Sequence, residues 1–127
     1  MDERTWPGEW LRGVLSLCVL AVVADSGEEG THGYAVAQRL QAAGMGAVKG
    51  GTLYPLLNRL QEDGHLSSTW VGGDGGPGRK NFAVTPGGLD HLRSRSEDWR
   101  RFSERAVALL TNAPPTTNAP PTKGSVT

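Results

Sequence analysis

The stretch from Gly51 to Arg59, GTLYPLLNR, constrains the fold of this chain more than any other. Leu53, Leu56, Leu57 and Leu60 fall at i, i+3, i+4 and i+7, the stripe of a helix that buries one face. The opposite face carries Tyr54, Pro55, Asn58, Arg59 and Glu62. A phenol, an amide and a guanidinium in one row can reach phosphates and base edges, whereas an ordinary solvated face is filled with Lys and Glu. The spacing places Pro55 in the first turn, where a missing N–H costs little, and Gly64 just past the end. A helix with an inward apolar stripe and an outward readout side is expected.

The 127 residues suffice for one modest core plus an arm or tail. Thirteen basic and thirteen acidic residues cancel, so total charge argues neither for nor against a nucleic-acid partner. Their distribution is more informative. Residues 1–47 carry six acids, Asp2, Glu3, Glu9, Asp25, Glu28 and Glu29, against three arginines, whereas the stretch from Lys49 to Lys80 has four cations, Lys49, Arg59, Arg79 and Lys80, against three acids. One cysteine, Cys18, sits in an apolar run and reads as a small core residue, so a reducing, cytoplasmic setting without disulfides is expected. The run from Val14 to Ala24 falls short of the ~20 residues of a membrane span, and the acidic stretch ahead of it is unlike a signal peptide.

A first helix is predicted from near Pro7 to Ala24, with Trp6 and Trp10 exposed at its start. A second is predicted from Thr31 to Ala43, with Thr31 as N-cap, Gly44 after the end, and Tyr34, Ala37 and Leu40 as its inner stripe. Followed by the leucine-striped helix, this makes a helix-turn-helix. Two strand-like stretches come next, Leu66–Val71 and Lys80–Thr85, with Phe82 the bulkiest side chain of the second. Between them Gly72–Gly78 holds five glycines in seven residues, which suggests a wing ordered by a partner, since glycine loses the most entropy on ordering. Thr85-Pro86 then caps a long helix to about Leu110. Leu89, Leu92, Ser96, Trp99, Ser103, Ala106 and Leu110 follow the 3–4 alternation of a two-helix seam, so this helix is expected to be a dimer arm. The hexapeptide TNAPPT then occurs twice in tandem, at 111–116 and 117–122, and predicts a disordered Pro-rich tail over 111–127.

The segments GGTLYPLLNRLQEDGHL (50–66) and GPGRKNFAVTPGG (76–88) closely resemble the PadR family of bacterial winged-helix transcription regulators. EWLRG with its apolar helix, and HGYAVAQRL after it, fit the same resemblance, which covers roughly residues 8–110. It implies an α+β, mostly helical fold: a winged helix-turn-helix over 1–85 and a C-terminal dimerisation helix over 86–110. The single C-terminal helix resembles the short-armed branch, which dimerises by packing that helix on the partner's first helix. Two departures stand out. Asn81 and Phe82 occupy positions where the family commonly has two aromatics, one a Tyr, and His65 stands where an aliphatic residue is common. Some short-armed members resemble multidrug sensors with a flat hydrophobic pore at the dimer centre. Trp99 and Trp10 fall at the matching places, with Phe102 and Ser103 beside Trp99 on the same ligand and dimer surface. Paired indoles suit planar hydrophobic molecules, cationic ones in particular, although Trp99 filling the interface by itself is the simpler role.

The expectation is a DNA-binding regulator, a dimeric repressor that a small aromatic ligand relieves. Two recognition helices would enter successive major grooves of a double-stranded operator, about 34 Å apart. Lys49, Thr52, Tyr54, Asn58 and Arg59 would share phosphate and base contacts, and Arg79 and Lys80 would hold backbone. The alternative is a winged helix used as a protein-interaction module, which near-zero net charge permits. An enzyme is not expected. His32, His65 and His91 lack metal-ligand spacing, no nucleophile or paired-acid motif is present, and no cofactor is implied. GDGGPGRK has Arg79 and Lys80 where a phosphate loop needs Lys and Ser/Thr.

Overall fold

The leucine stripe closes the core. In the computed structural model, which describes residues 6–73 and 75–112, helix α3 (Gly50–Glu62) buries Leu53, Leu57 and Leu60 and half-buries Leu56. Helix α1 (Gly8–Asp25) meets them with Leu15, Val19, Leu20 and Val23, and α2 (Gly33–Ala42) adds Val36 and Leu40. A two-stranded antiparallel sheet, β1 (Leu66–Gly73) and β2 (Gly76–Val84), contributes Leu66 and Phe82 to the same cluster. Helix α4 (Pro86–Thr111) follows. The fold is α+β and mostly helical, a winged helix-turn-helix with a long C-terminal helix. Cys18 is half-buried against the core, where desolvation raises its thiol pKa. Among the described residues no helix is long and apolar enough to cross a membrane.

Several local expectations need correction. Thr31 does not cap α2. Its N–H and C=O pair with the C=O and N–H of Phe82 at 2.8 and 2.7 Å, a short bridge that ties the wing to the helices. His32 is the cap instead, its Nδ1 accepting from the Ala35 N–H at 3.3 Å. Gly30 makes the bridge possible: it sits at φ +76°, and a Cβ there would run into the Phe82 carbonyl. Asn81 secures the same join, donating from Nδ2 to the Glu29 carbonyl at 2.6 Å.

The inner stripe of α2 is Gly33, Val36 and Leu40 with Ala37 half-buried beside them, as expected for Ala37 and Leu40, but Tyr34 is 66% exposed. Pro55 lies inside α3 rather than in its first turn, because the helix starts at Gly50 with Lys49 as N-cap. Proline has no N–H to offer the Gly51 carbonyl one turn back, and that residue is exposed. The wing is not a long loop. The strands pair from Leu66↔Val84 out to Gly73↔Gly76, with a register irregularity between Val71 and Gly73. Glycine permits the close approach there, since a Cβ on Gly78 would lie 2.8 Å from the Val71 carbonyl.

Thr85 caps α4 as expected: its Oγ1 accepts from the Gly88 N–H at 2.9 Å and donates to the Gly64 carbonyl at 2.7 Å. Gly88 is buried so tightly that a Cβ would strike the His65 carbonyl. The chain forms two compact units, one ending at Ser96 and one beginning at Glu97. In the second, Trp99, Phe102, Val107, Leu109 and Leu110 are exposed along the helix, while Ser103 and Ala106 are half-buried. The helix extends through Thr111, so the expected tail loses its first residue to α4. The rest of the TNAPPT repeats, from residue 113 on, lies outside the described residues.

Candidate nucleic-acid interface

The start of α2, the middle of α3 and the wing enclose a groove of about 560 Å³. From α3 come Tyr54, which is 47% exposed, and Asn58 one turn later. Tyr54 lies flat on the start of α2: a Cβ added to Gly33 would be 2.6 Å from its ring, so only glycine lets the phenol rest there. From β2 come Arg79, opposite Val71, and Lys80, opposite Trp70. Lys80 Nζ is 6.0 Å from the Phe82 ring centroid, a contact that orients the ammonium and leaves it accessible.

Four of the seven expected residues (Tyr54, Asn58, Arg79 and Lys80) thus line one groove. The other three do not. Lys49 is exposed at the N-cap of α3 and is not part of the groove wall. Thr52 and Arg59 line a second cavity, with Arg12 and Ser16 of α1. Helix geometry separates them: adjacent residues are turned by about 100°, so Asn58 and Arg59 cannot face one way.

The groove also holds three ring side chains outside the expected set, Trp70, Tyr34 and His32, beside Phe82 and two glycines. Trp70 is 70% exposed beside Lys80, because the hairpin outruns the core that buries Leu66. Tyr34, which the periodicity of α2 points inward, instead faces the groove. His32 lies parallel to Tyr34, ring centroids 6.4 Å apart and planes within 3°. With Nδ1 occupied as a cap acceptor, the neutral His32 ring carries its proton on Nε2. Desolvation, then the Arg79 charge, holds the His32 pKa below its usual value. The family-like Gly33-Tyr34 pair was the available signal for this corner.

At the other expected surface, Trp10 is 59% exposed and packs against Trp6 at 6.3 Å, and Trp6 Nε1 donates to the Gly44 carbonyl at 2.8 Å. Trp99 is 41% exposed, Phe102 more so, and the Ser103 hydroxyl donates to the Arg100 carbonyl. Among the described residues no cluster of three or more His, Cys, Asp or Glu is placed to hold a metal ion.

Residues 19–94 match the model of the transcriptional regulator PadR-like family, a span that runs from α1 through the wing into α4. The chain belongs to the PadR-like family of transcriptional regulators. This PadR-like chain is 36% identical over 102 residues to the transcriptional regulator Rv3488 of Mycobacterium tuberculosis, covering 80% of this chain and 88% of that one. It also resembles the solved structure of a PadR family regulator from Eggerthella lenta, with TM-score 0.70 and 33% identity over 80% of this chain and 86% of that one. A PadR-like transcription factor from Bacteroides fragilis gives TM-score 0.67 and 30% identity, over 80% and 95%. These are regulators rather than enzymes, and so is this PadR-like protein. Its histidines accordingly have structural surroundings: His32 caps α2, and His65 stacks on His91 with centroids 4.0 Å apart.

Proposed function

We propose that this PadR-like regulator binds a pseudo-palindromic operator as a homodimer in the cytoplasm and represses transcription. The groove supports the reading most directly. Tyr54 and Asn58 of α3 share it with Arg79 and Lys80 of the wing, and no carboxylate among the described residues pairs with either cation. Asn58 is suited to pair with an adenine edge, and Arg79 and Lys80 to neutralise backbone phosphates. Dimerisation is supported by the second unit, whose exposed Trp99, Phe102, Val107, Leu109 and Leu110 are more large apolar surface than a monomeric helix usually carries. Relief by a planar hydrophobic ligand rests on exposed Trp10 and Trp99, with Phe102 and Ser103 adjoining Trp99.

A gel shift with the DNA upstream of the protein's own gene, beside sedimentation of the free protein, tests both claims. A dimer that retards this DNA but not a scrambled duplex is the expected result. A monomer, or equal affinity for both duplexes, would end the reading. Quenching of Trp fluorescence by planar cations, lost in Trp99→Ala, tests the ligand proposal.

A further inference from the structure

His65 is the crossing point of three elements. Its N–H donates to the Leu60 carbonyl of α3 at 2.9 Å, its carbonyl accepts from the Thr85 N–H at 3.1 Å, and β1 begins at the next residue. The Thr85 hydroxyl also donates to the Gly64 carbonyl, and Gly88 packs so closely on the His65 carbonyl that no Cβ fits between them. The end of α3, the root of the wing and the start of α4 are therefore held at one point. A side-chain contact completes the join: the His65 ring stacks on that of His91, in the second turn of α4, with centroids 4.0 Å apart and planes 15° apart.

This join is built for uncharged rings. Nδ1 of His65 is buried, and among the described residues nothing bonds to it. A neutral ring can keep that nitrogen as an unfilled acceptor, but a protonated ring has two donors, and the one at Nδ1 would face no acceptor. The charged groups around the pair are Arg12 of α1, Arg59 of α3, Asp63 at the C-cap of α3 and Arg95 of α4. Three cations against one carboxylate oppose a proton on either ring. Desolvation first, then His65 and Arg95, hold His91 below its ordinary pKa against the opposing pull of Asp63.

We propose that the His65–His91 stack is an acid-released latch, closed while both rings are neutral and opened by a proton on either, which frees the start of α4 from the root of the wing. Opening costs the hairpin its fixed stance beside α3. The consequence, which rests on the operator reading above, is that mild acid releases DNA, because Arg79 and Lys80 no longer keep their places beside Tyr54 and Asn58.

Amide exchange in the full-length protein without DNA tests the latch. From about pH 7.5 to about pH 5, after allowance for the intrinsic rate, protection of Thr85 should fall about tenfold while that of Leu20 in the core is kept. Equal protection of Thr85 at both pH values would overturn the proposal, and so would loss at Thr85 and Leu20 together, which is general unfolding. His91→Phe keeps a ring in the same place but takes no proton, so its Thr85 should stay protected in acid, and a thermal melt at neutral pH verifies that it is folded. A His91→Phe protein as acid-sensitive as wild type would also overturn the latch, and the wild-type measurement stands whether or not that variant folds. With operator DNA, acid should weaken wild-type binding about tenfold more than it weakens His91→Phe. His32→Asn, which keeps a cap acceptor on α2 and removes the imidazole of the groove, should respond like wild type. An equal acid response in wild type and His91→Phe, or one abolished by His32→Asn, would refute the coupling to DNA. The exchange result, taken without DNA, is independent of the operator reading.

Discussion

Replacing Arg79 and Lys80 together by Ala is the sharpest perturbation of the proposed groove. The two residues face Val71 and Trp70 across the hairpin, so both sit well along the wing rather than at its root. Removing one phosphate contact per side chain takes about four from a dimer, and at about 0.9 per contact the log–log salt slope should become shallower by about 3.6. Extrapolated from 1 M to 0.15 M salt, that difference is about three decades in affinity, an upper limit of roughly 4 kcal/mol. Stability should hardly change. Neither residue has an ion-pair partner among the described residues, and the Lys80 contact with Phe82 is worth under about 1 kcal/mol. Fluorescence anisotropy on operator and scrambled duplexes between 0.05 and about 0.3 M salt reads both quantities. Affinity should fall on both duplexes alike, leaving their ratio intact. An unaltered slope would refute the wing's contact with backbone, and a loss confined to the operator would mean that these side chains read bases.

Three more outcomes follow from the packing. Gly33→Ala puts a methyl 2.6 Å from the Tyr54 ring, so the phenol must swing away from α2. The ring's exposed edge lets it move at small cost, partly offset by alanine's helix preference of about 1 kcal/mol. Operator affinity in the gel shift should therefore drop about tenfold, as for one lost hydrogen bond, while the melting temperature barely moves. Leu57→Ala empties a fully buried position and should cost about 2–5 kcal/mol by urea denaturation, and a loss under about 1 kcal/mol would mean that α3 is not packed as described. The pKa values of His91 and His32 are lowered from 6.5 in the folded chain, so the native state prefers their neutral forms. The resulting stability is complete above pH 6.5 and is lost as pH falls through the folded values, so urea midpoints should decline below pH 6.5, and less steeply in His91→Gln.

The elements legible in the sequence were those decided by neighbours along the chain. Leu53, Leu57 and Leu60 bury because one helix turns them to one side, and Thr85 caps α4 because the Gly88 N–H it needs lies three residues on. What the sequence concealed was decided by distant partners. Thr31 has the chemistry of an N-cap, but Phe82 of β2 claims its backbone, and His32 takes over. In a helix as short as α2, Tyr34-Ala37-Leu40 and Gly33-Val36-Leu40 fit the period equally, and the ring of Tyr54 against Gly33 selects the second. Asn81 stood out only as a missing aromatic, yet its amide holds Glu29. The polar face of α3 was readable as polar, but not that the wing flanks Asn58 and α1 flanks Arg59.

The same distinction explains why a net charge of zero tells so little about this protein. What matters to a polyanion is which cations are already neutralised. Along α4, Arg93 pairs with Asp90, Arg100 with Glu97 and Glu104, and Arg101 with Glu97 and Asp98, while Arg39 on α2 holds Asp25. These exposed pairs add little stability individually, but they remove four arginines, and the five acids that hold them, from the field a ligand meets. Lys49, Arg59, Arg79 and Lys80 have no such partner among the described residues, and all belong to α3, its N-cap or the wing. Arg12 on α1 and Arg105 on α4 also have no carboxylate partner among the described residues, but most of the free positive charge lies where α3 and β2 present it, and the salt slope of operator binding should follow those four side chains rather than the total. Charge reversal on α4, such as Glu104→Lys, should leave that slope within about one unit of wild type. A larger change would mean that the paired surface of α4 takes part in binding the phosphate backbone.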